Sequence, residues 1–183
     1  MKLVGIATGE LPALELPHQL WPAERDAVFC AWPRDEAECA EAERRLAGAV
    51  LPLLRVREVV HWDDLGAPDA HTVALVYFVR RRRGMGYADF ERHYRERHAP
   101  LARVQHPGIA RYVQNFLAEP DDAEREVDAV SELWFANARD SRERFYRDAD
   151  SQRVVAEDVA LFLEPRAGAV RLSRPGAPPT PRS

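Results

Sequence analysis

His98 is the residue of this chain best placed to do chemistry. Phe90, Tyr94, His98 and Leu101 recur at spacings of four, four and three, the period of a single helix face. A histidine therefore stands on the stripe that should bury itself, where loss of water disfavours the charged imidazole. A neutral imidazole beside an apolar pocket is suited to taking a proton from carbon or oxygen. Pro100 cannot donate to the carbonyl of Glu96 and crowds it, so the helix should bend or end around His98 and open a gap above the sheet. Tyr94, one turn earlier on the same face, is close enough to share a site. The plainer reading is a structural histidine, hydrogen-bonded across a helix–sheet layer.

Further polar groups fall inside apolar strands. Tyr112, Gln114 and Phe116 share one strand face and Val113, Asn115 and Leu117 the other, so whichever amide points inward needs a partner. Glu132 and Trp134 share a face of the next strand, with Leu133 and Phe135 opposite. A buried Glu132 could act as acid or base; a surface carboxylate at a strand end is the plainer alternative. Metal chemistry is not expected. His93 and His98 are five apart and should diverge around a helix, and no His-Glu-x-x-His or cysteine cluster occurs. His61, His71 and His106 sit at segment ends without a pattern. With no phosphate-binding loop and no Gly-x-Ser-x-Gly elbow, the expected catalysis is acid–base chemistry without a bound cofactor.

The elements that must position these groups fit one sizeable core or two small units sharing a sheet, in 183 residues of net charge −4. That charge argues against a dedicated nucleic-acid binder. Arg80 to Arg83 read as a solvated strand end, with an anchor for phosphate or carboxylate as the alternative. Cys30 and Cys39 form no zinc or redox pattern and are expected as free thiols. No run approaches membrane-spanning length and no leader is evident, so a soluble, cytoplasmic protein is expected.

In residues 1–70 the sequence predicts a β-α-β segment. It comprises strands Asp26 to Trp32 and Val56 to Trp62 around a helix from Asp35, a plausible N-cap, to about Arg55, with a further short strand at Lys2 to Ala7 ahead of it. Residues 71–173 read as β-α-β-β-α-β: strand Thr72–Arg80, helix Tyr87–Gln105, strands Ile109–Leu117 and Val127–Phe135, short helices Arg139–Arg147 and Ser151–Glu157, and strand Ala167–Ser173. This is the ferredoxin-like split βαβ order, an α+β fold with two helices on one face of an antiparallel sheet. Residues 174–183 read as a disordered tail. The other sheet face needs a partner, either a second copy or the first half of this chain. An incomplete N-terminal half-repeat is a candidate, because Leu51 to Val56 resembles Ala99 to Val104, which would set Val50 where the second copy has His98.

Four segments in order, Val76 to Arg81, Asp89 to Leu101, Arg111 to Asn115 and Glu132 to Phe135, resemble the EthD-like family of the dimeric α+β barrel superfamily; the His98-Ala-Pro-Leu101 element is the most specific. The resemblance spans residues 72–173. It implies a sheet-to-sheet barrel, usually a homodimer or here a monomeric pseudo-dimer, with the His98 position facing a pocket between helices and sheet.

On that footing the expected function is a cofactor-independent isomerase, cyclase or dehydratase acting on a small apolar, cyclic or aromatic carbonyl compound. His98 would be the general acid or base, with Tyr94 and Tyr112 polarising the carbonyl oxygen. Asn115 or Gln114 would add a donor, and Phe78, Trp134, Phe135 and Phe162 would form the wall. The alternative is a non-catalytic binder of a small ligand or haem, or an accessory protein of a degradation or biosynthetic pathway.

Overall fold

A computed structural model describes residues 1–7, 11–14, 16, 18–22, 27–164 and 169–173. The elements are β1 (Lys2–Ala7), β2 (His18–Pro22), β3 (Ala27–Ala31), α1 (Glu36–Leu46), β4 (Val50–Asp63), β5 (Val73–Val79), α2 (Tyr87–His93), a π-helical turn (Tyr94–His98), α3 (Ala99–Gln105), β6 (Arg111–Leu117), β7 (Ala129–Phe135), α4 (Asp140–Glu143), α5 (Ala149–Phe162) and β8 (Ala169–Ser173). One antiparallel sheet runs β2-β3-β1-β4-β6-β7-β5-β8. It curls until β8 comes up against β2 and β3.

The second half has the α+β, ferredoxin-like order expected: β8-β5-β7-β6 is fourth-first-third-second in order along the chain. The first half repeats that order as β4-β1-β3-β2. Its element string is therefore β-β-β-α-β, not β-α-β, because β2 lay hidden between Pro17 and Pro22. Where the second half has α2 and α3, the first half lays Leu11, Leu14 and Leu16 against its own core. The two halves join where β4 pairs with β6.

Two helix boundaries are corrected. Asp35 caps α1 as expected, accepting from Glu38 N at 2.9 Å, but the helix stops at Leu46. Gly48 follows at φ 84°, the left-handed conformation that commonly closes helices. Residues 50–63 are then a strand, so the match of Leu51–Val56 to Ala99–Val104 sets a strand against a helix, and Val50 is no counterpart of His98. In the second half, Val155, Val159 and Phe162 extend α5 through Phe162, past the expected end at Glu157.

Each face of the sheet has its own core. The inner face gathers Val4, Val28, Cys30 and Val56 of the first half with Val76, Phe78, Val130 and Trp134 of the second. Among these apolar residues Lys2 Nζ meets Glu132 Oε1 at 2.5 Å and Glu58 Oε2 at 2.7 Å. Glu132 also accepts from Asn115 Nδ2 (2.8 Å) and Trp134 Nε1 (3.1 Å). The outer face carries α1 on the first half; on the second it carries the α2–α3 rod and α5. None of the described helices is long and apolar enough to cross a membrane. Residues 174–183, expected as a tail, lie outside the described residues.

Candidate functional site

Between the α2–α3 rod, α5 and the outer face of β5, β6 and β7 lies a cavity of about 290 Å³. Pro100 explains its position. Lacking an N–H, it cannot complete the α-helical ladder, and the preceding residues widen into a π turn in which Ala99 N donates to Tyr94 O, five residues back. The rod bends without ending, and His98 faces the cavity from the last position of that turn.

His98 is 8 % exposed. Its Nδ1 is 2.8 Å from Asp158 Oδ2 on α5, and the other carboxylate oxygen is 2.9 Å from His93 Nε2. The two histidines do not diverge as an α-helix would require: the π turn sets residues five apart on one side of the rod. Burial pushes the Asp158 carboxyl up, but hydrogen bonds from His98 and His93 outweigh it and hold the group below its ordinary value. An ionised Asp158 accepts, so His98 Nδ1 carries a hydrogen, and in the neutral ring the lone pair falls to Nε2. Among the described residues Nε2 has no hydrogen-bond partner, and it is not a sealed atom.

Hydroxyls line the sheet side. Tyr94 Oη lies 2.5 Å from Ser131 Oγ, and Tyr112 lines the cavity with them. Burial raises the Tyr94 and Tyr112 phenols, so both keep their protons. Behind them Gln114 Nε2 donates to Tyr112 Oη (2.9 Å) and to the Tyr94 carbonyl (3.1 Å), while Gln114 Oε1 meets His61 Nε2 at 2.8 Å. His106 also reaches the cavity, its Nδ1 donating to the Phe145 carbonyl; burial lowers its pKa. Leu133, Phe145, Val155 and Val159 form the apolar wall.

Of the residues singled out from sequence, His98, Tyr94 and Tyr112 line this cavity together. Gln114 stands behind it. Phe162 packs on the rings of His93, Tyr94 and His98, and Phe135 stacks on Phe145, so both support the lining from behind. Phe78, Trp134 and Asn115 are corrections: strand alternation turns them to the opposite, inner face. Glu132 is buried there too, tied to Lys2. Asp158, Ser131, His61 and His106 were not foreseen as site residues. The continuous run Ser151, Val155, Val159, Phe162 was the available signal for Asp158, since it makes that residue part of an inward-facing helix.

A larger recess of about 350 Å³ lies at Arg80–Gly86. Asp122, Glu124 and Asp128 line it with the arginines. Arg81 is buried, with its guanidinium committed to Asp128 Oδ1 at 3.0 Å and to the carbonyls of Asp121 and Ala123. Arg81 itself therefore has no donor free for an anion, while Arg82 and Arg83 stand exposed at the recess.

No curated protein matches the chain in sequence. Two crystal structures share its fold. One, a proposed monooxygenase from Lactobacillus acidophilus NCFM, is 10 % identical with TM-score 0.51, over 96 % of each chain. The other, an anthrone oxidase-like protein, is 11 % identical with TM-score 0.57, over 96 % of this chain and 90 % of that one. The likeness thus extends through the first half as well as the second. Residues 82–166 match the family model of the EthD domain, so this segment of the chain is EthD-like.

Proposed function

We propose that this protein is a cofactor-free enzyme that removes a proton from a small cyclic or aromatic carbonyl compound, with His98 as the base. One observation carries the reading: Asp158 fixes His98 Nδ1 as the protonated nitrogen and leaves the basic Nε2 at the cavity. A carboxylate held ionised also stabilises the imidazolium formed when Nε2 takes a proton. The charge released on the substrate would move to its carbonyl oxygen, for which Tyr94, Tyr112 and Ser131 supply neutral donors. A cavity of about 290 Å³ is at the small end of ligand pockets, which favours a compact ring system. Isomerisation, cyclisation and dehydration all begin with this step.

The test is exchange of substrate C–H for deuterium in D₂O, followed by NMR across a panel of cyclic ketones and 1,3-diketones. One of the similar structures is named anthrone oxidase-like, so anthrone joins the panel with dioxygen uptake followed in parallel; uptake would direct the carbanion to oxygenation rather than rearrangement. Wild-type protein should accelerate exchange and a folded His98→Gln variant should not. Undiminished exchange in that variant removes His98 from the mechanism. Tight binding with no exchange in the wild type makes the protein a small-ligand binder instead.

A further inference from the structure

We infer that His61 and Gln114 are positioning residues that turn the Tyr94–Tyr112–Ser131 hydroxyls into a donor site for an anionic oxygen, so that the ligands suited to this cavity are phenolates and enolates. The inference rests on the proposed proton abstraction for its mechanistic meaning, but its geometry stands apart from His98.

The direction of each hydrogen bond follows from what its atoms can do. The Tyr94 carbonyl only accepts, so the Gln114 amide nitrogen must face it, at 3.1 Å. The second amide hydrogen reaches Tyr112 Oη at 2.9 Å. Gln114 Oε1 is thereby turned to His61, whose Nε2 at 2.8 Å must carry a hydrogen. Donation runs inward from His61 through Gln114 to Tyr112. Tyr112 Oη, already accepting from Gln114, has its own hydrogen free to turn toward the cavity that it lines with Tyr94 and Ser131. One hydroxyl hydrogen closes the Tyr94–Ser131 contact, and the Tyr112 hydrogen is left for the cavity. With Gln114 reversed, Tyr112 would donate to the amide oxygen and present only lone pairs to the cavity.

The backbone is shaped to put His61 there. Along β4 and β6, Val60 pairs with Val113 and Trp62 with Tyr112, so His61 is an extra residue opposite none. Neighbours on a regular strand point to opposite faces; a bulge of this kind re-aims a side chain. Here both His61 and Trp62 pack on the Tyr112 ring, at 5.4 and 5.0 Å between centroids. The first half of the chain thus supplies a residue to a site otherwise built wholly from the second.

Affinity for 4-nitrophenolate, with uncharged 4-nitroanisole as the matched probe, tests this. Wild-type protein should prefer the phenolate. Gln114→Met should lose about tenfold or more in phenolate affinity, the worth of one hydrogen bond to a charged group, while nitroanisole affinity changes less than about twofold. His61→Leu should lose phenolate affinity in the same direction, and His61→Gln, which can still donate, should restore it. The His61 pair carries the test if Gln114→Met does not fold, since His61 is only partly buried. Equal phenolate affinity in wild type and His61→Leu, or parallel loss of both probes, overturns the inference. The probe needs no proton transfer, so phenolate preference without C–H exchange leaves this oxygen site standing while the proton-abstraction reading falls.

Discussion

His93 and His98 stand five residues apart and hydrogen-bond opposite oxygens of one carboxylate, Asp158, at 2.9 and 2.8 Å. In an α-helix they would point about 140° apart. The π turn at Tyr94–His98 closes that angle, so a proline with no donor becomes the reason two imidazoles share an acid.

Replacing Asp158 with Asn should release the His98 tautomer. An amide can donate as well as accept, so Nδ1 of His98 no longer has to carry the hydrogen. Nitrogen-15 NMR should show His98 held as the Nδ1–H form in the wild type and mixed in Asp158→Asn. C–H exchange should fall by about a hundredfold or more. An unchanged tautomer would show that Asp158 does not set it.

Pro100→Ala restores an N–H able to bond the Glu96 carbonyl, favouring an ordinary α-helix through His98. We expect the melting temperature to rise by about 2–4 °C, as for a gain near 1 kcal/mol at this chain length, while C–H exchange falls because His98 turns from the Asp158 carboxylate. A variant with full exchange activity would mean that packing against Phe162, rather than Pro100, maintains the π turn.

Asp158 also predicts an acid dependence of stability. Its folded pKa lies below the ordinary 3.8, so the unfolded chain binds that proton more tightly. The stabilisation is fully present above the unfolded value and is lost as pH falls through the lower, folded one. The gap in urea midpoint between wild type and Asp158→Asn should be flat above about pH 5 and narrow below about pH 4. A gap independent of pH down to acid unfolding would contradict the depressed carboxyl.

Gly108→Ala tests how the segment leading into Phe145 and Tyr146 of the cavity lining is held. A Cβ there would sit 2.7 Å from the Arg144 carbonyl oxygen and 2.8 Å from that of Asp140, and backbone cannot yield as a side-chain tip can. We expect a loss of about 1–3 kcal/mol in chemical denaturation, with a change in ligand affinity because Phe145 and Tyr146 follow directly on Arg144. Wild-type stability would show that α4 can lift without cost.

Light scattering should find one copy of the chain in solution. The expectation rests on the inner sheet face, which packs residues of both halves of the chain together, and on the approach of β8 to β2 and β3. A stable dimer would place an interface on the helices instead.

The helix face through Phe90, Tyr94 and His98 was legible because burial imposes its period directly on sequence, and the strand alternation that sets Tyr112 beside Gln114 was legible for the same reason. Alternation also should have separated Trp134 and Asn115 from Tyr112, since one face cannot serve both sides of a sheet. Asp158 was obscured because one carboxylate next to Glu157 looks like any solvated helix face, and only the partner from another helix gives it meaning. His61 was illegible in principle: a bulge depends on register between strands distant in sequence. The false repeat at Leu51–Val56 arose because Leu, Arg and Val suit a helix and a half-buried strand alike; Gly48 was the residue that separated them.

A barrel made from two identical chains must repeat every substitution by symmetry, at both of its seams. Here the β4–β6 pairing and the approach of β8 to β2 and β3 are encoded by different residues, and each can change without the other. His61 can serve one seam because nothing obliges its counterpart to exist at the other. Titration of a ligand should therefore trace a single hyperbola with one equivalent per chain, and the half without a histidine-bearing helix is free to specialise as scaffold.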